Sequence, residues 1–189
     1  MISLLQLKNF KSFEEQSIDL KTLTLLSGLN STGKSSVIQS LLLLRQSYQQ
    51  DLLPTIGLAL NGDLVCIGTA QDALFEAAKE DSIGFEIVWT NEAKGVWLFD
   101  YNREADVLTL ASPPTSSDIY QLSLFNDKFH YLQAERVGPR TYFEISDFQV
   151  RQHQQLGTQG EYTAHFLSVY RDKNIPNTKL NHPNATSLN

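Results

Sequence analysis

The stretch that most constrains this chain is GLNSTGKSS at residues 28–36. It fits G-x-x-x-x-G-K-[ST] in full, and its context is the one that motif demands. Directly before it, residues 22–26 (TLTLL) form a compact apolar run with β-branched threonines, predicting a strand. Directly after it the apolar period changes to a helical one. Val37, Leu41, Leu44 and Tyr48 share one face, with Ile38 and Leu42 on its neighbour. A helix is therefore expected from Lys34 to about Gln50, buried on much of its circumference. A strand, a tight glycine turn and a helix in succession make an anion cradle. Gly28 and Gly33 let the backbone turn closely without a Cβ, and the amides from Asn30 through Ser31, Thr32 and Gly33 point inward. Lys34 would bring an ammonium to the β- and γ-phosphates of a nucleotide and Ser35 a hydroxyl to Mg²⁺. Ser36 would orient the loop, and the helix dipole adds to the same attraction.

The rest of the chain predicts an α/β domain with a β-rich part. Residues 2–7 and 16–20 suggest short strands joined by NFKSFEE. Asn61-Gly62 between apolar runs signals a hairpin, and residues 70–79 a short helix. The segments IGFEIVWT, GVWLFDY, DVLTLA and DIYQLSLF look like successive strands of an antiparallel lobe. Residues 129–132 suggest a return strand and residues 161–170 a helix. The last residues, polar with two prolines, suggest a loop. The expected partition is 1–52 (strands, phosphate loop, first helix), 53–128 (β-rich lobe) and 129–189 (return strand, loop, helix).

Composition narrows the class. The 189 residues are 41% hydrophobic and 19% charged, which suits a cored domain. The longest apolar run, residues 41–44, is far too short for a bilayer, and the N-terminus lacks the basic region of a signal peptide. Cys66 is the sole cysteine, so no internal disulfide forms, and a cytoplasmic setting is expected. The net charge of −6 argues against an autonomous DNA binder. His130, His153, His165 and His182 share no metal-ligand spacing. Asp100 ends VWLFDY in the manner of a magnesium-binding carboxylate, but Tyr101 follows it rather than a glutamate, and an exposed hairpin-end aspartate is the better reading. LGTQGE at residues 156–161 has the wrong order for an LSGGQ signature, so Gly157 and Gly160 read as loop glycines before a helix. No guanine-reading N-K-x-D is present, which leaves adenine as the default base. Phe10, Phe13, Tyr131 and the tryptophans read as packing groups.

Several of these segments together resemble a known family. NFKSF at residues 9–13, the loop at 28–36, LNGDLVCIG, YLQAERVGPR at 131–140 and LGTQGEYTAHFL are similar to the N-terminal lobe of ABC-type ATPase heads. The kind is RecF, SMC and OLD, including bacterial AAA-family ATPases of anti-phage defence. The resemblance implies a P-loop NTPase fold, ATP and Mg²⁺ as cofactors, and Lys11 and Ser12 approaching the nucleotide from the side. It also implies a glutamine near the return strand that touches Mg²⁺ and the attacking water. Gln133 is the candidate, with Glu135 and Arg136 as rivals, and Arg136 and Arg140 equally open to carboxylate-binding or capping roles. Complete heads continue into a helical lobe with a signature motif, a Walker B glutamate and a switch histidine, none of which is in this sequence. The chain thus reads as half of an ATPase, completed by the remaining half and by a homodimer or partner chain. DNA as a partner rests on family analogy alone. Two other readings stay open, a small-molecule or nucleotide kinase and a non-catalytic interaction module.

Overall fold

In the computed structural model, residues 1–174 are described. They divide into two compact units, the first Met1–Asn126 and the second beginning at Asp127. No helix of the described residues is long and apolar enough to cross a membrane.

The first unit is built on one six-stranded sheet in which every pairing is antiparallel. Its strands are β1 (Ile2–Phe10), β2 (Phe13–Asp19), β3 (Gly57–Ala59), β4 (Ser82–Trp89), β5 (Lys94–Asp100) and β6 (Val107–Ser112), in the spatial order β2-β1-β4-β5-β6-β3. The expected separation of a core sheet from a β-rich lobe is corrected here. β1 pairs with β4 from Ile2↔Trp89 to Lys8↔Gly84, so the first hairpin and the later strands form a single ladder. Alternation explains this. In β4, Ile83, Phe85, Ile87 and Trp89 are all buried, and in β5 so are Trp97 and Phe99. Leu5 and Leu7 of β1 supply the same inward face. Burying each such side chain contributes about 1.5–3 kcal/mol.

Asn9 breaks that alternation. Its φ of 51° is left-handed, a conformation asparagine tolerates better than most residues. The strand turns there, so Phe10 follows it into the core and stacks edge-on against Phe85 at 5.1 Å. The Asn9 amide donates to the Ser82 carbonyl at 3.1 Å. A two-residue turn follows, in which Lys11 donates its backbone N–H to the Ala73 carbonyl at 2.8 Å, and Phe13 then pairs with Phe10.

Helix α1 (Lys34–Gln49) spans the residues expected of it, with Val37, Leu42 and Leu44 buried and Leu41 and Tyr48 half-buried. Its second half is buried nearly all round, and its polar side chains serve backbone rather than water. Gln46 donates to the Ala59 carbonyl at 2.9 Å and accepts from Val65 at 3.1 Å. Ser47 accepts the Ala59 N–H at 2.8 Å, and Arg45 donates to the carbonyls of Leu124 and Asn126. β3 is an edge strand, and Gln46 and Ser47 satisfy the Ala59 groups that the edge would otherwise leave open. Ile38 departs from its expected buried face and is 44% exposed.

Four further expectations are corrected. Residues 22–26 are not a strand. Leu23 and Leu25 are 89% and 85% exposed, and the Lys21 amide is taken by the Thr24 hydroxyl at 3.0 Å, a local bond that competes with ladder formation. The helix at residues 70–79 stops at α2 (Ala70–Ala73), because Leu74 is extended and the β1 hairpin captures the carbonyl of Ala73 and the N–H of Phe75. DIYQLSLF is no strand but a 3-10 turn (Ser117–Gln121) capped by Ser116. Its buried residues Ile119, Tyr120, Leu124 and Phe125 do not alternate. Residues 129–132 form no return strand. The Phe129 carbonyl accepts from the Gln155 side chain instead. At the turn of Asn61-Gly62 the hairpin shrinks to a single bridge, Asn61↔Cys66.

The second unit contains a π-helical turn (Phe148–Gln152) and α3 (Thr163–Tyr170), close to the expected helix. The polar tail from residue 175 lies outside the described residues.

Candidate functional site: the turn before helix α1

The site is the backbone between Ser27 and Ser36. Gly28 has φ 144° and Gly33 has φ 89°, both in the region glycine enters freely. Between them Ser31, at φ 65°, is a left-handed non-glycine residue, the kind of local strain that tight ligand-binding turns store. The turn is tied to itself. The Thr32 hydroxyl donates to the Leu29 carbonyl at 2.9 Å. Lys34 folds back so that its ammonium reaches the carbonyls of Gly28, at 2.9 Å, and Leu29. A cation is therefore held across the loop by groups it could exchange for phosphate oxygens.

Helix α1 starts at this turn without a cap. Its N-cap is Gly33, no side chain bonds the first-turn amides, and no acidic residue occupies the first turn. The first N–H that finds a main-chain acceptor is that of Val37, on the Gly33 carbonyl at 3.1 Å. The preceding donors at Lys34, Ser35 and Ser36 are the orphans of any helix start. Uncapped donors and a positive dipole end, with no local carboxylate to compete, attract an anion. Ser35 is exposed at the first turn, while Ser36 is buried. Asn30 sits at the exposed tip.

Phe13 flanks the turn. A Cβ on Gly33 would fall 2.4 Å from the Phe13 Cζ, so the ring lies directly on the glycine. A cavity of about 250 Å³ opens beside it, lined by Phe13, Ile18, Leu26, Gly33, Lys34 and Val37. Ser12 is exposed and lines a neighbouring polar groove that shares Phe13. Lys11 leans towards α2. Burial pushes its ammonium below the usual lysine range, and the nearby Asp72 carboxylate opposes that. The carboxyl of Asp72 is itself held below its usual range, by hydrogen bonds first from the backbone and then from the hydroxyl of Thr69. The Phe13 contact is the part of the site that sequence reasoning missed. Its signal was present in NFKSF, where an asparagine suited to positive φ precedes two phenylalanines that pair across a turn.

Gln133 belongs to the second unit, where its N–H donates to the Thr158 carbonyl at 2.8 Å. Val137 donates likewise to Gln159, and the Arg136 guanidinium donates to the Gln159 carbonyl at 3.2 Å. The segments YLQAERVGPR and LGTQGE thus meet along their backbones. Gly157 and Gly160 have φ near 80°, and the Glu161 carboxylate returns to accept the Gln159 N–H. Arg140 is exposed, as is Glu135. Asp100 is exposed at the end of β5. No group of three or more His, Cys, Asp or Glu side chains among the described residues could hold a metal ion by itself.

A family model described as AAA ATPase domain matches residues 1–179. No curated protein and no solved structure matches the chain.

Proposed function

The chain belongs to the AAA ATPase domain family, and on that premise we propose that residues 28–36 hold the triphosphate of ATP. The uncapped start of α1, with Lys34 lying across the turn, is the observation that carries this reading. The amides from Ser31 to Ser36 would bind phosphate oxygens, and the Lys34 ammonium would exchange the carbonyls of Gly28 and Leu29 for the β- and γ-phosphates. The residues fit Mg²⁺ in the way that ion is commonly held. It keeps waters and phosphate oxygens and takes one or two protein ligands, and the exposed Ser35 hydroxyl is well placed to be one. Its role there is to neutralise phosphate charge.

The finer reading is an ATP-binding lobe of an ABC-type head of the RecF, SMC and OLD kind. Hydrolysis then needs a carboxylate for Mg²⁺ and a group that orients water, supplied by the remaining half of the ATPase and by a dimer partner. Supporting this is the exposed apolar run around Leu23 and Leu25 beside the loop, a surface suited to being covered by further polypeptide. Gln133 stays the proposed water-orienting glutamine, and Lys11 and Ser12 the proposed lateral contacts. DNA handling and phage defence are carried by family analogy only.

Equilibrium dialysis with labelled ATP tests the binding step. Losing the Lys34 ammonium removes charge-assisted hydrogen bonds of about 1.5–3 kcal/mol, so Lys34→Ala should bind about 10–100-fold more weakly. Equal binding by parent and variant refutes the assignment. Following the γ-phosphate separates the finer readings: release to water only after the completing half is added supports the ABC-type head, and transfer to an added acceptor supports a kinase.

A further inference from the structure

We infer that Phe13 is a positioning residue for the phosphate loop: its ring braces Gly33 and transmits the rigidity of the β1–β2 hairpin to the amides that grip phosphate. The inference rests on the nucleotide reading above and deepens it. The internal bonds of the loop, Thr32 to Leu29 and Lys34 to Gly28 and Leu29, fix its shape but tie it to nothing outside. The segment before it, residues 22–26, joins no sheet, and its Leu23 and Leu25 face solvent. Phe13 supplies an external prop at the residue where loop becomes helix, with the Cβ position of Gly33 only 2.4 Å from the Phe13 Cζ.

The prop is itself anchored. Phe13 pairs with Phe10, which is fully buried and stacked on Phe85. The turn between them is held by the Lys11 bond to Ala73, and the strand before them by the Asn9 bond to Ser82. The left-handed Asn9 sets the strand so that Phe10 turns inward and its cross-strand partner Phe13 meets the loop. Gly33 is thereby required twice, for its φ of 89° and because any side chain would meet the ring. A site whose donors must hold their geometry to within about 0.5 Å depends on such packed support.

The test measures binding of Mg-ATP and of tripolyphosphate, which has no base, to the parent, Phe13→Ala and Phe13→Leu proteins, with thermal melting in parallel. Leucine keeps an apolar partner for Phe10 but does not reach Gly33. Both variants should lose about tenfold in affinity for both ligands, the factor that 1.4 kcal/mol makes, while the leucine variant melts as the parent does. In a double-mutant cycle, Gly33→Ala should cost less in the Phe13→Ala background than in the parent, because the collision is gone. A loss for ATP but not tripolyphosphate means that the ring touches the base, and overturns the inference. So does unchanged affinity, and so does a loss that follows the melting temperature in both variants. Lys34→Ala serves as the control. If it too leaves tripolyphosphate binding intact, the nucleotide reading fails and takes the brace with it. If it abolishes binding while the Phe13 variants do not, only the brace fails.

Discussion

Truncating Gln46 should destabilise the first unit far more than a helix-surface glutamine would. Gln46 is 2% exposed, and both ends of its amide are used. The Nε2 donates to the Ala59 carbonyl, and the Oε1 accepts from Val65. The Gln46→Ala substitution leaves the buried Ala59 carbonyl short of a donor, a loss of about 1–3 kcal/mol. The Val65 N–H is only partly buried, so water can replace its acceptor at a cost of about 0.5–1 kcal/mol. Removing the one buried methylene that alanine lacks adds about 0.8 kcal/mol, and the better helix propensity of alanine returns a few tenths. The net expectation is about 2–4 kcal/mol. The companion is Gln49→Ala, exposed at the end of the same helix, where a change within about 0.5 kcal/mol is expected. Urea unfolding followed by tryptophan fluorescence suits the measurement, since Trp89 and Trp97 are buried in the same unit. Equal effects at positions 46 and 49, or a Gln46→Ala midpoint matching the parent, would refute the role given to α1 in closing the β3 edge.

Other outcomes follow from single observations. Asn9→Ala should cost about 2–4 kcal/mol, combining a left-handed backbone penalty with a lost buried hydrogen bond. Asn9→Gly should cost less, and equal losses by urea titration would count against the conformational part. Asp72 is held in its charged form by Thr69. Its folded pKa is depressed, so its stabilising contribution is present above the ordinary aspartate range and is lost as pH falls through the folded value. The stability difference between parent and Asp72→Ala should therefore be flat from about pH 5 to 7 and shrink below about pH 4. A difference that grows on acidification would contradict the capping role. Arg136→Ala should loosen the pairing of residues 133–137 with 158–159, read as faster amide exchange at Gln133 and Val137; unchanged exchange there would show that the guanidinium bond to Gln159 is dispensable.

Helix α1 and the turn before it were legible because their information is local. Glycines at both ends of the turn, a lysine after the second and a 3.6-residue apolar period leave one simple solution. The strand at residues 22–26 was mispredicted for the opposite reason. Its composition is strand-like, but a strand needs a neighbour, and among the described residues none pairs with it. Composition also misled at residues 118–125, where apolar content alone suggested extension and the spacing of Ile119, Tyr120, Leu124 and Phe125 did not. Residues 70–79 lost most of a helix to hydrogen bonds from a hairpin some sixty residues away in sequence, which no local propensity records. Arg45, Gln46 and Ser47 carry no signal of their partners in the local sequence. Which backbone groups they serve depends on where β3 and residues 124–126 come to lie. Phe13 reads from the sequence as a packing group, and what it packs on is Gly33, at the turn before α1.

The most direct test follows backbone amide resonances of the ¹⁵N-labelled chain as Mg-ATP is added. Uncapped donors taking up phosphate oxygens predict the largest downfield shifts at Gly33, Lys34, Ser35 and Ser36, with those of the β4–β5 hairpin unmoved and the effect lost in Lys34→Ala. Saturable shifts centred elsewhere, or none at these amides at millimolar nucleotide, would contradict a phosphate site at the start of α1.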